Sequence, residues 1–156
     1  MRAVRRPVRM SLVARAGHRR AFEWACLLLA PPVAWTVALA GFPMPVHAPA
    51  RDLAAVVAWS VAEEIVFRGA LQPLLGRAFG AWGRAGPITP ANVATSVVFA
   101  ALHAWRHGPV VALGVFPVSL VYGVARDRSG GVLLPAALHV WFNALLYAAS
   151  WRLATT

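Results

Sequence analysis

Ala62-Glu63-Glu64-Ile65-Val66-Phe67-Arg68-Gly69 places three charged side chains inside Leu53 to Leu75, a run of 23 residues that is otherwise uncharged and mostly apolar. At ~1.5 Å rise per residue, a helix of that length matches the roughly 30 Å hydrocarbon core of a bilayer. Each ionised group near mid-bilayer costs roughly 2.5 to 3.5 kcal/mol on insertion scales, so two carboxylates and a guanidinium there require partners and water. The stretch reads as a membrane span with a working polar site inside it.

Helix geometry separates the three groups. Glu64 and Arg68 are i, i+4 with the acid on the N-terminal side, the spacing of an intrahelical ion pair. Glu63 lies about 100° round the axis from Glu64 and is i, i+5 from Arg68, which leaves it free to act outside its own helix. The expectation is a reactive Glu63 and a Glu64 held by Arg68. The plainer alternative is a structural polar cluster between helices.

The rest of the chain has the composition of a polytopic membrane protein. Of 156 residues, 60% are hydrophobic and 13% charged. Mean hydropathy is +0.63, outside the usual range of a soluble domain. The net charge of +10 arises from fifteen arginines, no lysine, and only Glu23, Asp52, Glu63, Glu64 and Asp127 on the acidic side. Most arginines lie between apolar segments, so membrane topology explains them and no nucleic-acid partner is expected. Cys26 is the single cysteine, which excludes an intrachain disulfide and a CxxC metal or redox site.

The expected fold is all-α: a polytopic transmembrane helical bundle of about five spans, at 21–42, 53–75, 90–105, 109–125 and 132–150, in one membrane-embedded domain after a basic tail, 1–20. Pro31-Pro32 should interrupt the first span. That span's flanks are similar to a signal peptide's, with Val46-His47-Ala48 at a cleavage-like position, but the apolar run is long for one and is expected to remain. Pro43, Pro45 and Pro49 mark a loop before the second span. Gly76 to Thr89, with Arg77 and Arg84, reads as a basic connection, and Pro90 suits the first turn of the third span. Arg106-His107-Gly108 is a short turn, and Arg126-Asp127-Arg128-Ser129-Gly130-Gly131 should break the fourth span. This topology puts eleven arginines on one side and Arg51, Arg106 and Arg152 on the other. By the positive-inside rule the N-terminus is cytoplasmic and the C-terminus outside. Trp24, Trp82, Trp105 and Trp151 fall near span ends, as an aromatic belt would.

Two further spans carry polar groups. Phe99-Ala100-Ala101-Leu102-His103 sets a ring and an imidazole one turn apart, and His139-Val140-Trp141-Phe142-Asn143 sets an imidazole and an amide at i, i+4 near mid-span. Either histidine alone would suit a structural or interfacial role. Three helices that each bring polar groups to a membrane interior instead favour one shared, hydrated cavity. A glutamate beside a histidine can take a proton from water, and a second histidine with an asparagine can donate to the oxyanion of a tetrahedral intermediate. These are the parts for peptide hydrolysis without a covalent nucleophile. GxSxG is absent, and Cys26 has no histidine beside it on its span. His103, His139 and the glutamates could alternatively hold zinc, although HExxH is missing, and an ion or proton path uses the same residue types.

Glu63-Glu64-x-x-x-Arg68, Phe99-x-x-x-His103 and His139-x-x-x-Asn143, in this order on successive apolar segments, resemble the three motifs of the CPBP family of CAAX-processing intramembrane endopeptidases and bacteriocin-immunity relatives. The resemblance covers roughly Leu53 to Ala148. It implies a glutamate-dependent intramembrane protease with no metal or other cofactor, acting on a membrane protein or peptide within the lipid bilayer. Glu63 and His103 would activate water, His139 and Asn143 would form the oxyanion site, and Glu64, Arg68 and Phe99 would support them. A non-catalytic immunity or scaffold protein of the same fold is the alternative. The chain has fewer spans than the larger members, so a prenylated CAAX substrate is not implied. Its short length and the run Gly86-Pro87-Ile88-Thr89-Pro90-Ala91-Asn92 look similar to compact bacterial members associated with JDVT-CTERM sorting signals. That resemblance implies a bacterial inner membrane and, as substrate, the membrane-anchoring tail of an exported protein.

Overall fold

Prolines and glycines set the helix boundaries. Thr89 has extended backbone, and its hydroxyl accepts from the Asn92 amide at 3.1 Å, while Pro90 occupies the first turn, where its missing N–H costs nothing. Gly108, at φ 91°, separates the next two helices, and Gly130, at φ 73°, closes the later one with its amide bonded to the Arg126 carbonyl at 3.0 Å. Both angles lie where only glycine is unstrained.

The computed structural model describes residues 17, 18, 20–22, 25, 50–80 and 88–154, without the side chains of 50–52 and 148–154. Helix α1 spans Ala50–Glu64, passes through a π-helical segment, Ile65–Leu71, and continues as α2, Gln72–Phe79. Then come α3, Pro90–His107, α4, Pro109–Ser129, and α5, Leu133–Ala154. Among the described residues there is no strand, and the fold is an all-α helical bundle. Most of the basic tail, nearly all of the 21–42 span, the 43–49 loop with its prolines, Arg84, and the Gly86-Pro87 part of the noted run lie outside the described residues.

Two helices outrun their apolar stretches. The second extends through Gly76 and Arg77 to Phe79, and the fourth runs through Arg126-Asp127-Arg128 to Ser129 rather than breaking there. The reason is tertiary: Asp127 accepts from Gln72 Nε2 at 2.8 Å and from the Thr89 hydroxyl at 2.9 Å, and Gln72 Nε2 also donates to the Gly123 carbonyl at 3.0 Å. These bonds tie α2, α4 and the start of α3 at one end of the bundle.

Helix directions follow from facing residues. His139 meets Glu64 and Asn143 meets Ser60, so α5 runs antiparallel to α1. Ser119 meets Arg68 and Gly123 meets Gln72, so α4 runs parallel to the α1–α2 rod. Tyr122, Ala125, Leu138 and Phe142 form the core cluster, with Phe22, Val118 and Leu134 packed against it.

Burial is inverted relative to a water-soluble protein. Ser60, Glu64, Arg68, Gln72, Asn92, Thr95, Ser96 and Ser119 are buried, whereas Trp105, Leu133 and Leu113 are 88%, 83% and 76% exposed. Polar side chains turned inward and large apolar groups facing outward suit lipid as the surrounding medium. Among the described residues, α4 alone is both long and apolar enough to cross a membrane by itself. The rod Ala50–Phe79 is interrupted by its π-helical segment.

Candidate active site

The π-helical segment begins immediately after Glu64. The Gln72 amide bonds the Phe67 carbonyl, five residues back, and widening of this kind re-aims side chains. The guanidinium of Arg126 stabilises it by donating from Nε to the Arg68 carbonyl at 2.7 Å.

Glu64 and Arg68 form the inner half of the site. Both side chains are fully buried, with Arg68 Nη1 3.0 Å from Glu64 Oε1. Arg68 Nη2 also donates to the Ser119 carbonyl at 2.9 Å and to the Ser119 hydroxyl. Its guanidinium carbon lies 4.8 Å from the Phe99 ring centroid and 5.5 Å from that of Tyr122, contacts that favour a cation in a dry setting. Glu64 Oε1 takes a second hydrogen bond from His139 Nδ1 at 2.9 Å.

Glu63 forms the outer half. Its side chain is 19% exposed, and Oε2 lies 3.7 Å from His139 Nε2. Glu63, His103, His139 and Asn143 all line one open cavity of about 840 Å³, whereas Glu64 and Arg68 lie behind its wall. The helix-geometry distinction between the two glutamates is thus visible in the fold.

The remaining groups are held by local bonds. His103 Nδ1 lies 2.9 Å from the Phe99 carbonyl. A carbonyl can only accept, so Nδ1 carries a proton, and in the neutral ring Nε2 is the acceptor. Phe99 packs at 4.4 Å against the His103 ring and 6.0 Å from that of His139, so it spans the two imidazoles. Asn143 Nδ2 donates to Ser60 Oγ at 2.8 Å, and Ser60 Oγ donates to the Val56 carbonyl at 2.8 Å, which leaves Asn143 a second N–H. Among the described residues, no three His, Cys, Asp or Glu side chains are gathered as a metal-binding group.

A family model described as type II CAAX prenyl endopeptidase, Rce1-like, matches residues 45–145, a stretch that contains all three polar motifs. The chain belongs to this Rce1-like family. It is therefore an integral membrane protein of a peptide-hydrolase family, as the motifs led one to expect. No curated protein and no solved structure matches it.

Three residues of the Rce1-like site had no sequence motif to announce them. Ser60, Ser119 and Tyr122 touch Asn143, Arg68 and His139 respectively, with Tyr122 stacked on the His139 ring at 4.9 Å and 23°. Ser60 precedes Glu64 by one turn and shares its face, a signal that was present. Ser119 and Tyr122 lie i, i+3 on a span with no histidine or acid at mid-depth, and nothing in that span alone distinguishes them.

Proposed function

We propose that this chain is a glutamic-type intramembrane endopeptidase that cuts a membrane-anchored protein, with the C-terminal membrane-anchoring segment of a sorted protein as the substrate class. The observation that carries the reading is the shared cavity: Glu63, His103, His139 and Asn143 face it from three helices, while Glu64 and Arg68 are sealed behind them.

In this mechanism a water sits between Glu63 and His103, its hydrogens accepted by the carboxylate and by His103 Nε2. Glu63 removes one proton as the water oxygen attacks the peptide carbonyl carbon. The oxyanion is held by His139 Nε2–H and the second N–H of Asn143. The C–N bond then breaks, the proton passes from Glu63 to the leaving nitrogen, and a carboxyl and an amine are released. This role asks both ring nitrogens of His139 to donate, Nδ1 to Glu64 and Nε2 to the oxyanion.

His139 Nδ1 and Arg68 both engage Glu64, and His103 Nδ1 is bonded to backbone. That donor set supports the metal-free reading over a zinc site, which normally gathers three protein ligands. The membrane of this proposal is a bacterial inner membrane with the N-terminus in the cytoplasm, a reading supported by the arginine-rich N-terminal sequence.

The test is co-expression with membrane proteins from the same cell. One of them should become shorter only when the wild-type chain is present, and Glu63→Gln or His103→Ala should abolish the cut while the protein still inserts. Cleavage should survive chelation. Wild-type cleavage by both variants would overturn the glutamic mechanism, and loss of cleavage on chelation, restored by zinc, would favour a metal site.

A further inference from the structure

The cavity is not centred along the bundle. Its walls are α1 from Ala55 to Phe67, the last turns of α3 from Leu102 to His107, and α5 from His139 to Tyr147. The start of α1 and the ends of α3 and α5 converge at one end, so the mouth is there. The Gln72–Asp127–Thr89 bonds mark the opposite end.

The two ends differ in charge. Arg77, Arg126 and Arg128 lie at the end away from the mouth. The Arg128 guanidinium lies 4.8 Å over the ring of Phe22, which packs against the core cluster. Arg20, two residues before Phe22, therefore lies at this same end, and six further arginines precede it in sequence. In sequence, the segments joined to that end, 1–20, 76–89 and 126–131, carry eleven arginines, against Arg51, Arg106 and Arg152 in the segments joined to the mouth. Cytoplasmic flanks are the arginine-rich ones.

Depth follows from the indoles. Trp59 and Trp105, both on the cavity wall, are 67% and 88% exposed, and such side chains gather at the membrane–water boundary. Trp59 precedes Glu63 by four residues and Trp105 follows His103 by two, about 6 Å and 3 Å along the axes at ~1.5 Å per residue. The reactive groups lie just beneath a boundary rather than at mid-bilayer.

We infer that the cavity opens at the extracytoplasmic face and that the bond it accepts lies at the outer edge of the substrate's membrane segment. The substrate class is then an exported polypeptide still tethered by a membrane segment, not a protein presented from the cytoplasm. The cut itself rests on the hydrolase reading above. The side rests on geometry and charge alone.

The experiment uses the full chain carrying Cys26→Ala, with single cysteines introduced by Ala55→Cys or Arg106→Cys at the mouth and by Arg77→Cys or Arg128→Cys at the other end. Intact bacterial cells are treated with a membrane-impermeant maleimide. The mouth cysteines should label in intact cells, and the opposite pair should show no labelling until the membrane is permeabilised. The reverse pattern, or equal labelling of both ends, overturns the inference. Should a cysteine variant fail to accumulate, phosphatase fusions ending at Gly108 and Gly80 read the same property: activity at Gly108 only supports it, and activity at Gly80 only overturns it. Glu63→Gln leaves labelling unchanged, so the two readings fail separately. Inside labelling with Glu63-dependent cleavage sinks this inference alone, whereas outside labelling with cleavage retained in Glu63→Gln sinks the hydrolase mechanism alone.

Discussion

Glu64 and His139 are joined through a single oxygen: Glu64 Oε1 receives His139 Nδ1 at 2.9 Å and Arg68 Nη1 at 3.0 Å. The oxygen joins α1 to α5 directly, and Arg68 extends the link to α4 by donating from Nη2 to Ser119. Removing one member of a buried ion pair leaves an uncompensated charge, which costs about 3–5 kcal/mol. Arg68→Ala should therefore lower the unfolding midpoint in detergent sharply. Arg68→Met combined with Glu64→Gln should recover much of the loss, and equal midpoints for the single and double variants would deny the coupling.

Among the described residues, Asn143 has one N–H engaged by Ser60 and a second with no protein partner. Loss of an oxyanion donor typically lowers kcat by about 10²–10³-fold, and Asn143→Ala should do so while leaving the unfolding midpoint nearly unchanged. Ser60→Ala removes the support but not the donor, so its loss should be smaller. The initial rate of product formation ranks the two variants, and a larger defect in Ser60→Ala would contradict the assigned role.

Gly123 tests the packing that positions α4. A Cβ built there overlaps the amide of Asn92, which donates from Nδ2 to the Leu120 carbonyl at 3.0 Å and accepts from Ser96. Overpacking of a filled interior costs about 1–3 kcal/mol and occasionally more. Gly123→Ala should sit at the upper end of that range, and adding Asn92→Ala should relieve part of it in the same thermal unfolding measurement.

The different placements of the two glutamates could be read from spacing, because i, i+4 fixed Glu64 on Arg68 and left Glu63 on another face. The three motifs likewise lay on segments that proved helical. The π-helical stretch Ile65–Leu71 was not legible, since no local preference produces it and its Arg68 carbonyl is satisfied by Arg126, 58 residues away. The continuation of α4 through Arg126-Asp127-Arg128 was hidden for a similar reason. Those residues look like a polar break until Gln72 and Thr89 arrive to bond Asp127. Ser119 and Tyr122 acquire meaning only through the partners that the fold delivers.

The most direct measurement is the cleavage rate of purified wild-type and Glu63→Gln protein in the same proteoliposomes, with unfolding midpoints recorded on the same samples. General-base catalysis contributes about 10²–10⁴-fold, so Glu63→Gln should lose at least a hundredfold while its midpoint stays near wild type, because Glu63 is partly exposed and makes no short hydrogen bond among the described residues. A Glu63→Gln protein that is folded and cleaves at the wild-type rate would contradict the assignment of Glu63 as the group that activates water.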